Sequence, residues 1–520
     1  MQYCSYKNFY DIIENNAIKS PKKTIISQND LKINNHEFKI RVDAVAQFLK
    51  DQGIQSKDKV ALIMSNSWQF IVNVFAVSKL GAIAVPINNF LKEEEFAYIV
   101  NDCQAKFAFI SHKFIEQTKS LLVRTGLNKI TWVEGDSLKN EKNLSYEDAI
   151  STKIEPKFKS TSKLDDTAFI VYTSGTTGKP KGAMLSYKNI LSNGIGCLDI
   201  MNIKKGLTML SYLPMFHAFS LTATVFTPIL SNGEVVVFTS MSSKKDFKYL
   251  LKMLLFKRCK YFTGVPDIFS AMARAKLPWY FHWFHNVIGF ISGAAPLSEE
   301  VQRRFTEKFK RGTLYQGYGI SECSPIVSSN APKAHKIGSV GRPLKGYQVK
   351  IFDENMHELP LGEVGEICVK GDCVMQGYYN RPDETAEAII DGWFKTGDLG
   401  KLDTDGFIFI VDRKKDLIIH KGMNIYPREI EEILYTHEKI NACAIVGLKD
   451  SESNEVPIAY IELKEDQLLT ENEIKEFLKP HLAVFKMPRK VYFMEKLPRN
   501  ATGKILKREL RDIAQQEAKS

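Results

Sequence analysis

The stretch Tyr172-Thr-Ser-Gly-Thr-Thr-Gly-Lys-Pro-Lys-Gly182 gathers the chemistry of anion binding into one short run. An apolar, β-branched segment leads into glycines at 175, 178 and 182, with hydroxyls at Ser174, Thr176 and Thr177 and ammonium groups at Lys179 and Lys181. Glycines let backbone N–H groups converge on an anion, and hydroxyls and cations complete such a cradle. The loop is not of Walker type. That motif needs glycine where Thr173 stands and a hydroxyl residue where Pro180 stands, which disfavours a P-loop kinase or GTPase. A bare Gly/Thr turn would have no use for two lysines beside so many hydroxyls.

Other reactive side chains read more blandly. Cys323 follows Glu322, but no Cys/His arrangement is legible around it, and a small apolar role fits better than a nucleophile. The eight cysteines form no C-x-x-C pair, so free thiols in a reducing compartment are expected rather than a disulfide framework or a zinc site. His217 lies in Pro214-Met-Phe-His-Ala-Phe219, where a packed histidine is the ordinary expectation.

The elements that must hold these residues follow from periodicity. A helix over 43–52, an apolar strand over 60–64, a helix over 68–80 and an apolar run over 82–87 alternate as in an α/β layered domain with largely parallel strands, continued at 107–110 and 167–172. The last hundred or so residues differ. A helix face with Ile430, Ile433 and Leu434, strands over 442–446 and 457–463, a helix with Ile474, Phe477 and Leu478, and a strand over 491–494 predict a small separate α+β unit. Asp412-Arg413-Lys414-Lys415-Asp416, after a strand over 407–411, marks the boundary, giving units at 1–412 and 413–520.

Composition agrees with this division. A chain of 520 residues exceeds what one core holds, since single cores stop growing near about 250–300 residues. With 44% hydrophobic and 25% charged residues it is neither collagen, a disordered chain nor a coiled-coil rod. The best apolar run, 72–87, is broken by Lys79, Gly81 and Pro86, short of the about 20 residues that span a bilayer. Residues 1–20 lack a signal-peptide core, and a cytoplasmic location is expected. The net charge of +11 (71 basic, 60 acidic) would attract small polyanions or an anionic membrane face, but no motif supports nucleic-acid binding.

The loop at 172–182 resembles the phosphate-binding signature of the adenylate-forming (AMP-dependent synthetase and ligase) superfamily, which includes acyl-CoA synthetases, firefly-type luciferases and the adenylation domains of peptide synthetases. Tyr318-Gly-Ile-Ser-Glu322, Gly365-Glu366, Lys395-Thr-Gly-Asp398, Asp412-Arg-Lys-Lys-Asp416, Gly422-Met-Asn-Ile-Tyr-Pro427 and Asn500-Ala-Thr-Gly-Lys504 follow in family order. The resemblance covers essentially the whole chain and looks most like bacterial long- or medium-chain fatty acyl-CoA synthetases. It implies an α/β fold, with a large multi-sheet layered N-terminal domain that binds ATP and fatty acid and a small mobile C-terminal α+β lid domain. The implied reaction joins a carboxylate to ATP, giving acyl-adenylate and pyrophosphate. Coenzyme A then takes the acyl group, giving acyl-CoA and AMP, with Mg²⁺ as cofactor.

The same resemblance assigns roles. Ser174, Gly175, Thr176, Thr177, Gly178, Lys179 and Lys181 are implied phosphate contacts, and Lys504 bridges the carboxylate and the α-phosphate. Bringing two anions together requires cations and fixed dipoles where charge accumulates. Thr173 and Glu322 resemble the Mg²⁺ pair, a hydroxyl and a carboxylate suited to a hard cation, with Ser321 where the family usually has threonine. Asp398 and Arg413 look like the ribose clamp, and Tyr318 with Gly293-Ala294-Ala295 the adenine slot. Lys415 matches the hinge position, and Gly422 lies in the segment that swings in for the thiol step. Ile419 stands where the family sometimes carries lysine.

For the acyl site the resemblance implies His217, Phe219, Leu221, Gly264, Val265 and Gly317, with Leu221 where some long-chain enzymes carry a gating tryptophan. No acid is visible there to bind an α-ammonium group, which argues against amino-acid substrates. An acyl carrier protein as thiol acceptor, and an aryl or short-chain acid as substrate, remain as alternatives. A non-catalytic acyl-nucleotide binder is a further one, against which the intact set Lys504, Glu322 and Thr173 speaks. The aromatic run Pro278-Trp-Tyr-Phe-His-Trp-Phe284 reads first as a buried cluster, and second as a peripheral contact with the inner membrane face. Chain length and oligomeric state, monomer or homodimer, are open at this level.

Overall fold

Apolar runs bounded by breakers become buried parallel strands. In the computed structural model, which describes residues 6–135, 142–155, 159–160, 162–173, 179–239, 243–277, 281, 284–450, 454–499 and 503–518, the strand Lys59–Ile63 lies between Ile83–Pro86 and Ala105–Ser111, parallel to both. These belong to an eight-stranded sheet. It runs from Gly377–Tyr378 through Lys181–Ser186, Thr167–Thr173, Ile83–Pro86, Lys59–Ile63, Ala105–Ser111 and Lys129–Val133 to Asn143–Ser145. The strands Thr167–Thr173 and Lys181–Ser186 pair antiparallel, with Thr173 opposite Lys181.

The helix Trp68–Leu80 is buried nearly all round because it touches both this sheet and the strand Thr24–Gln28 of a four-stranded neighbour. The Ser67 hydroxyl accepts from the Phe70 N–H at its start, and Gly81, at φ +75°, ends it in the left-handed conformation. Lys79, which interrupts the apolar run, is satisfied internally. Its Nζ lies 2.7 Å from Asp43 Oδ1, which also accepts from the Tyr10 hydroxyl at 2.7 Å, while Lys39 meets Asp43 Oδ2 at 2.7 Å.

Two further sheets complete the large unit. Tyr261–Gly264, Gly289–Ser292 and Thr313–Tyr318 run parallel and continue antiparallel into Ser328–Ser329 and Arg342–Pro343. An antiparallel sheet holds Tyr347–Phe352, Gly365–Gly371, Ile389–Ile390, Trp393–Leu402 and Ile408–Arg413. Beyond it come the hairpin Ile418–His420/Met423–Ile425 and a three-stranded sheet, Ile440–Lys449, Glu455–Leu463 and Lys490–Phe493. The helices Pro427–Tyr435 and Glu471–Leu478 pack on one face of that sheet through Ile430, Leu434, Ile474 and Leu478, and Lys507–Glu517 covers the other through Leu510 and Ala514. The fold is thus α/β, with several layered sheets in a large N-terminal part and a smaller C-terminal part.

Two elements are longer than periodicity predicts. The helix expected over 43–52 spans Asn35–Asp51, because Asn34 and Glu37 form a reciprocal capping box that starts it earlier. The strand expected over 407–411 runs to Arg413, so that residue is the last rung of a sheet rather than part of a linker. The seven described cysteines are free and buried. Among the described residues, no helix is long and apolar enough to cross a membrane.

Candidate active site

Three sheets bring their ends together around one cleft. Thr173 ends its strand in the eight-stranded sheet, and its hydroxyl lies 2.9 Å from Glu322 Oε1. Glu322 sits in a short 3₁₀ turn just past the strand Thr313–Tyr318. Tyr378, at the far edge of the first sheet, donates to the same carboxylate oxygen at 3.2 Å. Glu322 is 6% exposed, and burial pushes its carboxyl above the ordinary range. No lysine or arginine among the described residues forms an ion pair with it.

That donor set fits Mg²⁺. A buried carboxylate with a hydroxyl alongside offers hard oxygens and a negative charge in want of a cation. Among the described residues, no cluster of three or more His, Cys, Asp or Glu side chains could hold a metal alone. Phosphates and water would therefore have to complete the coordination, as Mg²⁺ prefers.

The neighbouring cluster is built across the antiparallel sheet. Asp398 and Arg413 are register partners, with Arg413 Nε 3.2 Å from Asp398 Oδ1. The Tyr318 hydroxyl donates to Asp398 Oδ2 at 2.7 Å, and the Thr396 hydroxyl accepts from the Asp398 N–H at 3.1 Å. A carboxylate held from two sides in this way can receive hydroxyl groups without moving. Lys504 approaches from the small unit. Burial, with Arg413 and Lys415 nearby, lowers its ammonium from an ordinary 10.5 to about 7, while Asp398 and Asp416 oppose the shift.

Backbone geometry opens room beside Tyr318. A side chain on Gly319 would overlap the Pro325 carbonyl oxygen, so only glycine fits there. Ala294 adopts φ +66°, and a Cβ on Gly293 would meet the Phe219 ring at 2.8 Å. These residues form one end of a cavity between the sheet of Thr313–Tyr318 and the helix Tyr187–Ile200. It contains about 710 Å³ of space, part of it open to solvent. His217, Phe219, Gly317, Tyr318, Ala294 and Ser321 line it, and so do Cys197, Ile200, Met201, Met209, Ala223, Ile291, Ile326 and Leu344. No charged side chain is among its described walls.

His217 caps the short helix Ala218–Ser220, its Nδ1 accepting from the Phe219 N–H at 3.3 Å, which leaves the proton on Nε2. Burial lowers its pKa to about 4, so the ring is neutral at physiological pH.

The expected residues are thus distributed as follows. Thr173, Glu322 and Ser321 converge at one end, and Tyr318, Asp398, Arg413 and Lys504 beside them. Lys181 lies 5.4 Å from the Tyr378 ring centre and Lys179 5.6 Å from that of Tyr98. Ser174, Gly175, Thr176, Thr177 and Gly178 lie outside the described residues, as does most of the 278–284 aromatic segment, Trp279 and Trp283 included. Ala295 neighbours the cavity through Ala294 but is not one of its walls. Of the six expected acyl contacts, His217, Phe219 and Gly317 line the cavity. Leu221 does not: it opens a π-helical turn and is buried in the main core. Gly264 faces Ile268 and Tyr212, and Val265 lies near Gly503. Lys415 sits in the 3₁₀ turn Lys414–Asp416, and Gly422, at φ +78°, turns the hairpin with open space around it. Tyr378, and the helix residues Cys197, Ile200 and Met201, are absent from the sequence reading; nothing in their local sequence distinguishes them from core.

Comparison with known proteins agrees with this architecture. Residues 13–379 match the AMP-binding enzyme family, and residues 429–504 match the AMP-binding enzyme C-terminal domain. The chain is similar to the long-chain-fatty-acid–CoA ligase of Bacillus subtilis (strain 168), at 34% identity over 97% of this chain and 94% of that protein. It is also similar to 4-coumarate–CoA ligase 2 of Nicotiana tabacum, at 30% identity over 95% and 90%. Among solved structures, ATP-bound MatB from Rhodopseudomonas palustris superposes with a TM-score of 0.89 at 28% identity, covering 98% of this chain and 99% of that one. With one family model matching most of the large unit and the other the small unit through Lys504, the chain belongs to the AMP-binding enzymes and has the adenylate-forming fold.

Proposed function

We propose that the protein is an AMP-forming acid–CoA ligase that activates a medium- or long-chain fatty acid. In the first half-reaction a carboxylate oxygen attacks the α-phosphorus of ATP, the α–β phosphoanhydride breaks and pyrophosphate leaves. In the second, the thiol sulfur of coenzyme A attacks the acyl carbon, AMP departs with the electron pair of the broken C–O bond, and the thiol proton passes to water.

The observation that carries this reading is a cavity whose described walls hold no charged side chain and include Tyr318 and Ser321 together with Cys197, Ile200, Met201 and Met209. Its apolar lining suits an alkyl chain whose carboxylate stays near Lys504. Asp398 and Arg413 would receive the ribose hydroxyls, and Tyr318 would flank the adenine. Thr173 and Glu322 would hold Mg²⁺, which when bound neutralises phosphate charge. Similarity to both a fatty-acid and a 4-coumarate ligase makes an aryl acid the second reading.

After adenylation Lys504 has no further task, and we read Lys415 as the pivot about which the small unit turns to bring the Gly422 hairpin toward the thiol path. A panel of C2 to C18 acids with 4-coumarate, in ATP–pyrophosphate exchange, tests the substrate. Exchange that is strongest with acids of roughly eight or more carbons is expected; exchange with 4-coumarate alone would replace this reading by the aryl one. Product formation with free coenzyme A against holo acyl carrier protein separates the acceptors.

A further inference from the structure

Lys504 is carried by the small unit, and one carboxylate of the large unit meets the chain just before it, at Arg499 and Gly503. Asp267 lies in the first turn of the helix Pro266–Arg274. Its Oδ2 is 3.7 Å from Arg499 Nε and 3.3 Å from the position a Cβ on Gly503 would take. Gly503, at φ +81°, immediately precedes Lys504. Arg499 is itself well anchored in the small unit. Its Nη1 donates to Glu462 Oε2 at 2.7 Å, the same oxygen accepts from the Leu497 N–H at 2.9 Å, and Arg499 bridges antiparallel to Ile505. The small unit therefore fixes Arg499 by itself, and Asp267 touches Arg499 and the backbone at Gly503 from outside.

We propose that Asp267 is a positioning residue for adenylate formation: it holds Arg499 and backs Gly503 so that Lys504 is presented at the phosphate site. This role rests on the function proposed above. Asp267 is not among the walls of the cavity, so it does not act by touching the substrate. Its side chain is 62% exposed and its ion pair is long, and such pairs add little to stability. What they can set is geometry, and small displacements of a catalytic group are costly in rate: an error of about 1 Å can lower turnover about a hundredfold. Other contacts between the units, such as Arg274 Nη1 to Asn441 Oδ1 at 2.6 Å, the Glu299 N–H to Glu432 at 3.3 Å and Arg428 Nη1 to the Ile410 carbonyl at 3.1 Å, involve no residue next to Lys504 in the chain.

The test uses the full chain and the acid that gives the highest ATP–pyrophosphate exchange in wild type. Asp267→Asn and Asp267→Ala should lower exchange kcat by about tenfold or more, while transfer from synthetic acyl-adenylate to coenzyme A stays within about twofold of wild type and the melting temperature is unchanged. Asp267→Glu, which keeps the charge, should restore most of the loss. In a Lys504→Ala background, Asp267→Ala should add nothing, since a group acting only through Lys504 has nothing left to position. Unaltered exchange, an equal fall in both half-reactions, or a full additional loss in the Lys504→Ala background would each overturn the role. Absence of exchange in wild type with every acid would instead refute the function itself, and this role with it.

Discussion

Lys504 should impose an alkaline limb on adenylation, and its position can be worked out from the surroundings. An exposed lysine titrates near 10.5, and here burial and the adjacent Arg413 lower it to about 7. A fall of that size corresponds to about 5 kcal/mol of unfavourable charging in the empty site. The cationic form is the one that can neutralise carboxylate and phosphate, so the sign is fixed: activity is present below the pKa and is lost as pH rises through it. The profile of kcat/KM for ATP, which reports the free enzyme, should fall about tenfold per pH unit above roughly pH 7. At saturating ATP the bound triphosphate holds the proton on Lys504, and kcat should stay level to distinctly higher pH.

Two substitutions make this specific. Lys504→Arg carries a cation that does not lose its proton in the accessible range, so the alkaline limb should vanish whatever rate remains. Asp416→Asn removes a charge that supports the ammonium, so the limb should move to lower pH. The assay is pyrophosphate exchange from pH 5.5 to 9.5 at sub-saturating and saturating ATP. A wild-type kcat/KM profile that stays level to pH 9.5, or a limb that persists unchanged in Lys504→Arg, would refute the reasoning, because Lys504 would then not be the titrating group.

Glu322→Gln should abolish most exchange at ordinary Mg²⁺, and Tyr378→Phe, which only removes a hydrogen bond to that carboxylate, should raise the Mg²⁺ concentration for half-activity by about tenfold; a magnesium titration of exchange checks both. His217 is already neutral above its pKa of about 4, so His217→Gln should change acyl preference or KM but leave the shape of the pH profile from 5.5 to 9.5 unaltered. Lys79→Met should lower stability, but by less than the about 3–5 kcal/mol of a buried charge left alone, because Asp43 keeps Lys39 and the Tyr10 hydroxyl; urea unfolding reads it. Lys415→Pro, which fixes one backbone torsion in the turn after Arg413, should spare exchange and slow thiol transfer; equal losses would remove the pivot from that turn.

The residues legible in the sequence are those whose chemistry is local. The adjacent hydroxyls, glycines and lysines at 172–182 raise the expectation of an anion site from local chemistry alone, with residues 174–178 outside those described, and Gly293, Tyr318 and Asp398 sit in short runs that carry their own turn signals. Residues that work through long-range pairing were not readable. Tyr378 reaches Glu322 across 56 positions, and nothing near it in the chain marks it as anything but a strand residue. Leu221 fails in the opposite way: the register of the π-helical turn Leu221–Phe226 carries its side chain into the core, a rotation that periodicity at 3.6 residues does not anticipate. Local composition places Arg413 in a charged boundary run, and only the family resemblance pairs it with Asp398. Cross-strand pairing with Asp398 overrides that local composition.

The same contacts explain why one cleft could serve two reactions. The small unit has two apolar clusters of its own, centred on Ile430 with Ile445 and on Tyr460 with Leu510, so its fold does not depend on how it is docked. What joins it to the large unit in the pairs described above is polar: Arg499 with Asp267, Arg274 with Asn441, and Glu432 with the Glu299 N–H. Polar groups of this kind are readily re-solvated, and relative motion is the expectation for such an interface. In the present arrangement Lys504 faces Asp398, and no residue of the Gly422 hairpin lines the cavity. On the function proposed above, a turn of the small unit between the half-reactions would part those polar pairs while both of its apolar clusters stay intact.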